Sequence, residues 1–305
     1  MEIRKVSIIG LGALGTLFGH HLSKRMPKGD IKIIADQDRI ARYVRDKVYC
    51  NGEVCDFQYV TPEEKCEPAD LVMIAVKYHQ LRAAISAVKN QIGPHTLILS
   101  LLNGITSEEI ISAVYGADKV VYCVAQGMDA VKEGNKLTYE HMGMLCIGEF
   151  DQDTHSERVA SIAAFFQKIG LPHEIDMHMK KRLWGKFMLN VGVNQTIAVY
   201  GTKYNSVQQA GPARDTMISA MREVISLSEK EGIGLAEDDL RYWLALLGTL
   251  DPEGKPSMRQ DVEARRLSEV DLFAGAVQAL SKKHGLSTPV NHMLYEKIKA
   301  LEAQY

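Results

Sequence analysis

The chain is poor in the residues that mark the specialised protein classes. It has two tryptophans, nine prolines and five cysteines in 305 residues. The cysteine count is odd, and Cys50, Cys55, Cys66, Cys123 and Cys146 include no C-x-x-C pair. That argues against a disulfide framework or a zinc ribbon and leads us to expect reduced thiols in a cytoplasmic protein. None of the ten histidines belongs to an H-E-x-x-H motif. Neither sign of charge dominates: 36 basic against 38 acidic side chains leave a formal net charge of −2. The global basic excess of a general nucleic-acid binder is therefore lacking, although a local patch is not excluded. No apolar run approaches the ~20 residues of a membrane-spanning helix. The opening MEIRKVSIIGLGALGTLFG has the early charge and short apolar stretch of a signal peptide, but His20, His21 and Ser23 follow with no small-x-small cleavage site. A buried strand running into a glycine turn is the preferred reading.

What is present is ordinary globular material, 46% hydrophobic and 24% charged. It is enough to bury a full core in one large domain or two ordinary ones. In the first part of the chain, short apolar runs predict strands at Val6–Ile9, Ile31–Ala35, Leu71–Val76, Thr96–Leu102, Val120–Ala125 and Pro172–Ile175. Helical patterns at Ala13–Met26 and Leu81–Ile92 lie between them. Capping boxes at Thr106–Glu109 and Thr154–Glu157 open two more helices, ending near Tyr115 and Gly170. Continuous apolar strands separated by helices indicate a parallel sheet covered on both faces. After Asp176 the texture is helical, with patterns at Met179–Tyr200, Pro212–Glu231, Asp238–Gly248, Met258–His284 and Asn291–Ala300 and no convincing strand. The expected architecture is an α/β domain over 1–176 and an all-helical domain over 177–305, abutting to form a cleft.

Gly10-Leu11-Gly12-Ala13-Leu14-Gly15 follows a predicted strand and opens a predicted helix, the placement that gives G-x-G-x-x-G its weight. Gly10 permits the tight turn, Gly12 lets a pyrophosphate approach the backbone, and Gly15 lets helix and strand pack closely. The helix N-terminus offers free N–H groups and partial positive charge to the phosphates. Asp36, 21 residues after Gly15, is placed to accept hydrogen bonds from both ribose hydroxyls of NAD. It would repel a 2′-phosphate, which Arg39 and Arg42 would offset, so NAD and NADP both remain open on these residues; a plain helix cap is the alternative role for Asp36. Lys77 and Asn103-Gly104 end two further strands, where ligands of open α/β sheets bind, or else are ordinary turn residues.

In the second domain Lys186, Asn190 and Asn194 interrupt an apolar helix at i, i+4 and i+8. They drift only roughly 80° around its axis and form one stripe. Burying them without partners would cost several kcal/mol, so another protein surface or a polar ligand must satisfy them. Gly185 and Gly192 point to something approaching that helix closely. Ser257 lies near the start of the next long helix and Glu269 inside it.

These motifs together resemble the ketopantoate reductase (2-dehydropantoate 2-reductase) family over essentially the whole chain. The matching segments are GLGALG at Gly10–Gly15, VK at Val76-Lys77, LNG at Leu102–Gly104 and W-x-K-x-x-x-N-x-x-x-N at Trp184–Asn194. PSMxQD at Pro256–Asp261 and SE-x-D at Ser268–Asp271 complete the set. The resemblance implies a Rossmann-type dinucleotide-binding domain followed by an all-α domain like the C-terminal domain of 6-phosphogluconate dehydrogenase. It implies NADPH-dependent reduction of a small 2-keto acid, ketopantoate to D-pantoate, in pantothenate biosynthesis. Lys186 would be the general acid, Asn190, Asn194 and Ser257 would hold the substrate, and Glu269 would lie near Lys186 and the nicotinamide ribose. Lys77 and Asn103 would contact cofactor or substrate, and Ala130 would line the cofactor site. No metal, membrane or nucleic-acid partner is implied; a homodimer is left open.

Three positions depart from the family pattern. Asp36 stands where members often carry arginine, Tyr204 where a substrate-site asparagine falls, and Ala274 where an asparagine precedes the last motif's glycine. They leave open a rival, an NAD-dependent D-2-hydroxyacid dehydrogenase of the same superfamily acting on another 2-keto acid. A catalytically silent dinucleotide-binding regulator is a rival of another class; its signature would be loss of Lys186 or Glu269, and both are present.

Overall fold

A computed structural model describes residues 1–150 and 156–305 of the chain. They divide into two compact units, Met1–Leu102 with Thr106–Met179, and Asn103–Ile105 with Lys180–Tyr305.

The first unit begins with β1 (Val6–Ile9), α1 (Ala13–Ser23), β2 (Ile31–Ile34), α2 (Gln37–Asp46), β3 (Tyr49–Cys50), β4 (Glu53–Val54) and β5 (Gln58–Val60). It continues with β6 (Leu71–Ile74), α3 (Leu81–Ala87), β7 (Leu97–Ser100), α4 (Ser107–Tyr115), β8 (Val120–Gln126), β9 (Val131–Glu133) and β10 (Lys136–Thr138). It closes with β11 (Met144–Gly148), α5 (Glu157–Lys168) and β12 (His173–Ile175). The main sheet has the order β12-β11-β8-β7-β6-β1-β2-β5. Its strands from β5 to β8 pair in parallel. All four residues of β1, β6 and β7 are buried, as a sheet covered on both faces requires. The apolar N-terminal run is thus a central strand.

The sequence pattern did not anticipate several elements. β11 runs antiparallel to β8, so the sheet is mixed at that side. A second, four-stranded sheet has the order β4-β3-β10-β9. Helix α2 was not anticipated; none of its residues is fully buried, and Tyr43 packs against the core only in part. The capping boxes also differ. Thr106 precedes α4 but makes no side-chain cap, and its hydroxyl is buried without a partner. Thr154 and His155 lie outside the described residues. Ser156 caps α5, its Oγ accepting from Val159 N at 3.2 Å.

The helical unit comprises α6 (Met179–Tyr200), α7 (Asn205–Gln208), α8 (Pro212–Lys230), α9 (Glu237–Gly248), α10 (Ser257–Glu263), α11 (Ala276–His284) and α12 (Pro289–Glu302). All strands among the described residues end by Ile175. The single helix expected over Met258–His284 is broken. α10 ends before Arg265, whose φ of 50° leaves the right-handed region, and a π-helical turn at Asp271–Gly275 leads into α11. Side-chain bonds compete successfully with continuous helix here. Arg266 Nε donates to Asp261 Oδ1 at 3.0 Å, and Ser268 N and Oγ donate to Glu302 Oε1 at 2.8 and 2.7 Å. π turns occur often at functional sites, and Glu269 stands just before this one.

A buried polar network ties the unit together. Gln195 donates to Val191 O (2.7 Å) and Asn291 Oδ1 (3.1 Å), and its Oε1 accepts from Ala274 N in the π turn (3.1 Å). Asn291 donates through Nδ2 to Ala220 O (3.1 Å) and Glu223 Oε2 (2.7 Å). Gln195 and Asn291 are fully buried, so each lost bond leaves a desolvated group unanswered. Asn291→Ala should therefore destabilise the protein by about 2–4 kcal/mol, measured by urea denaturation; a change under about 0.5 kcal/mol would contradict this account of the network.

Candidate active site

The glycine loop separates two demands on glycine. Gly10 has φ +95°, and a Cβ there would sit 2.5 Å from Ala75 O. A Cβ on Gly15 would sit 1.8 Å from Gly10 O and 3.2 Å from Ala75 Cβ. Gly10 is dictated by its positive φ and by the segment just after β6, and Gly15 by the packing of α1 on the end of β1. Gly12, the N-cap of α1, has an ordinary φ of −72°, and the nearest atom to a Cβ would be Ala75 O at 3.7 Å. The fold therefore does not require glycine at 12, which leaves an open approach to the backbone. Leu11 is buried, and Ala13 and Leu14 pack against the core. No acidic residue lies in the first turn of α1, so its positive end is not offset locally. An open, electropositive helix start of this kind fits a pyrophosphate.

Asp36 lies just beyond β2 and does cap a helix. Its Oδ1 accepts from Arg39 N at 2.8 Å, and Oδ2 pairs with Arg39 Nε at 3.3 Å. The side chain is still 57% exposed, and a carboxylate has further acceptor sites for ribose hydroxyls. Lys77, half-buried, stands between β6 and a 3-10 turn at Tyr78–Gln80. Ala130, half-buried, directly precedes β9 and packs on the core of the first unit. Asn103, half-buried, groups with the helical unit. Beside it Gly104 has φ +93°, and a Cβ there would meet Leu272 Cδ1 of the π turn at 2.6 Å.

The polar stripe lies on α6, a 22-residue helix that is buried on nearly every side from Leu183 to Ala198. Asn194 Nδ2 donates to Asn190 Oδ1 at 3.2 Å. Asn194 Oδ1 accepts long bonds, both 3.4 Å, from Ser257 Oγ and Met258 N at the start of α10. The structure thus brings Asn190, Asn194 and Ser257 together. Asn190 is 9% exposed, and its Nδ2 is buried with no hydrogen-bond partner. Lys186 is half-buried one turn earlier on α6. Glu269 is buried, its carbonyl accepting from Leu272 N and Phe273 N at the π turn.

The glycines of α6 answer to protein. A Cβ on Gly185 would fall 2.3 Å from Trp243 Nε1, and one on Gly192 would fall 2.5 Å from Met221 Cγ. The close approach inferred from them is made by α9 and α8. Tyr204 packs its ring over Gly254, three residues before Ser257, and burial pushes its phenol up to about 12. Gln195, the anchor of the π turn, was not singled out by sequence. Its signal was an amide one step off the polar stripe, hidden because nothing in the pattern shows which neighbour it meets.

A mostly parallel sheet, a glycine loop at its first strand and a helical unit carrying a buried amide stripe define a dinucleotide-binding α/β class. The chain matches the family model for ketopantoate reductase PanE/ApbA over residues 6–152 and the model for its C terminal over residues 178–302. It belongs to the ketopantoate reductase family. It is 25% identical over 303 residues to 2-dehydropantoate 2-reductase of Streptococcus pyogenes serotype M6, covering 98% of each chain. The fold is that of a PanE/ApbA family ketopantoate reductase from Ralstonia eutropha JMP134, with TM-score 0.85, 23% identity and coverage of 98% and 99% of the two chains. It is equally that of a D-mandelate dehydrogenase solved with NADH and anilino(oxo)acetate, with TM-score 0.86, 22% identity and the same coverage.

The glycine geometry makes a differential prediction. Gly15→Ala should cost more than about 2 kcal/mol of stability, because the new Cβ meets backbone. Gly12→Ala should cost no more than about 1 kcal/mol, the usual loss for alanine at an N-cap. Chemical denaturation of both variants checks this, and equal losses would contradict it.

Proposed function

We propose that the protein is an NAD(P)H-dependent 2-keto acid reductase, with ketopantoate, reduced to D-pantoate for pantothenate synthesis, as its first candidate substrate. The observation that carries this reading is the buried, unanswered Nδ2 of Asn190. A desolvated donor without an acceptor costs about 1–3 kcal/mol, a cost removed when an acceptor-rich ligand is bound. Ser257 Oγ and the Lys186 ammonium are further donors. A 2-keto acid brings acceptors to such a set in its carboxylate and keto oxygen.

The dinucleotide held at Gly10–Gly15 supplies hydride when bound. Negative charge then develops on the keto oxygen, where a positioned cation carrying a proton lowers the barrier. Lys186 takes that role as general acid. Asn190, Asn194 and Ser257 orient the substrate's carboxylate and hydroxyl. Glu269 serves the nicotinamide ribose and provides the negative charge opposite Lys186. Lys77, Asn103 and Ala130 complete the cofactor and substrate contacts. The exposed Asp36 carboxylate favours NADH, since a 2′-phosphate beside it is repelled by about 1–4 kcal/mol at surface-like dielectrics, less what Arg39 offsets.

A second reading, the same reaction on a different 2-keto acid, is favoured by Tyr204. It puts a neutral phenol beside the segment leading to Ser257, where the family resemblance places a substrate asparagine.

Three measurements test the assignment. Lys186→Ala should lower kcat about 10²–10⁴-fold with dinucleotide affinity largely kept; unchanged turnover removes Lys186 from the mechanism. Asp36→Arg should shift kcat/KM toward NADPH by about tenfold or more; no shift means Asp36 does not face the ribose. In a substrate panel run with both cofactors, ketopantoate should rank first by kcat/KM. A much better 2-keto acid would replace it with the second reading.

A further inference from the structure

Behind the glycine loop lies a half-buried cation that the proposed reaction does not use. Lys132 on β9 sends its ammonium across to α1, where Nζ donates to Thr16 Oγ1 at 2.8 Å. Thr16 directly follows Gly15, is fully buried, and donates in turn to Leu11 O inside the loop at 3.4 Å. β9 belongs to the small second sheet, and Ala130 is two residues before this lysine.

We propose that Lys132 is a positioning residue for the dinucleotide: through Thr16 it fixes the Leu11 carbonyl, and its charge supplements the positive end of α1 where the pyrophosphate binds. The proposal rests on the reading of Gly10–Gly15 as the phosphate loop. A threonine hydroxyl holds the ammonium in place but does not neutralise it. The titratable groups facing it are the thiols of Cys50 on β3 and Cys55 just after β4. Burial raises both thiols, Cys55 to about 12, so they stay neutral near pH 7. Burial also pushes Lys132 down to about 8. An anion bound at the start of α1 favours the charged lysine, so by linkage the charged lysine favours the anion.

The test is the dissociation constant of NADH and NADPH, read from nicotinamide fluorescence between about pH 6.5 and 9.5, a window that brackets this titration. Wild type should bind about tenfold more weakly above the step than below it. Lys132→Met should bind at every pH with the weaker, high-pH affinity and show no step. Lys132→Arg, which stays charged throughout, should keep the tighter affinity across the range. A merely structural lysine would move none of these profiles, and a wild-type profile in Lys132→Met overturns the proposal. If Lys132→Met fails to fold, the contrast between wild type and Lys132→Arg decides, and identical profiles for those two overturn it. Gly12→Val separates the two ideas. If it loses binding while Lys132→Met matches wild type, the loop reading stands and only the Lys132 role falls. If it binds as wild type does, the loop reading fails and carries this proposal with it.

Discussion

A carboxamide hydrogen with nothing to bind is expensive inside a protein, and α6 carries one. The helix is buried on nearly every side, so each polar atom along it must be met by protein or by something that arrives. Gln195 and Asn190 show the two solutions on one helix. Gln195 has both ends of its amide answered, by Val191, Asn291 and Ala274, and so locks the π turn against α6 and α12. Asn190 uses its oxygen on Asn194 and leaves its nitrogen unanswered. The first arrangement is what a stable core requires. The second makes sense where a ligand completes the set, and it sits beside Asn194, which in turn accepts from Ser257.

The glycine loop divides labour in a similar way. Gly10 and Gly15 are required by the chain's own packing against Ala75, whereas Gly12 is not. A residue that the fold leaves free to vary, at an electropositive helix start, is where a phosphate ligand is the better explanation for glycine. Asp36 caps α2 and still leaves its carboxylate largely in solvent.

Much of this was legible in the sequence where one physical signal dominates. β1, β6 and β7 are short, wholly apolar runs, and buried parallel strands look like that. α6 was read to its end residues because it is long, apolar and interrupted only by spaced polar side chains. α2 was missed because its apolar face is short and only part-buried, with Tyr43 resting on the core and no residue fully enclosed, and the strands β3, β4, β9 and β10 are two or three residues long, too short for a period to show. The break between α10 and α11 was invisible for a different reason. It depends on Glu302 reaching Ser268 from 34 residues away, and local pattern carries no information about such a partner. Glu269 likewise carries no local mark and is proposed only through the family resemblance. The amide stripe was legible as a spacing, but which of its atoms are answered and which are not appears only in the packed structure.

The most direct measurement of the central claim is a crystal structure of the protein with nicotinamide dinucleotide and a non-reacting 2-keto acid analogue. The account predicts Asn190 Nδ2 within hydrogen-bonding distance of an oxygen of the analogue, with Ser257 Oγ and Lys186 Nζ on the same ligand. An analogue bound elsewhere, or Asn190 Nδ2 turned to a protein acceptor in the complex, would contradict it.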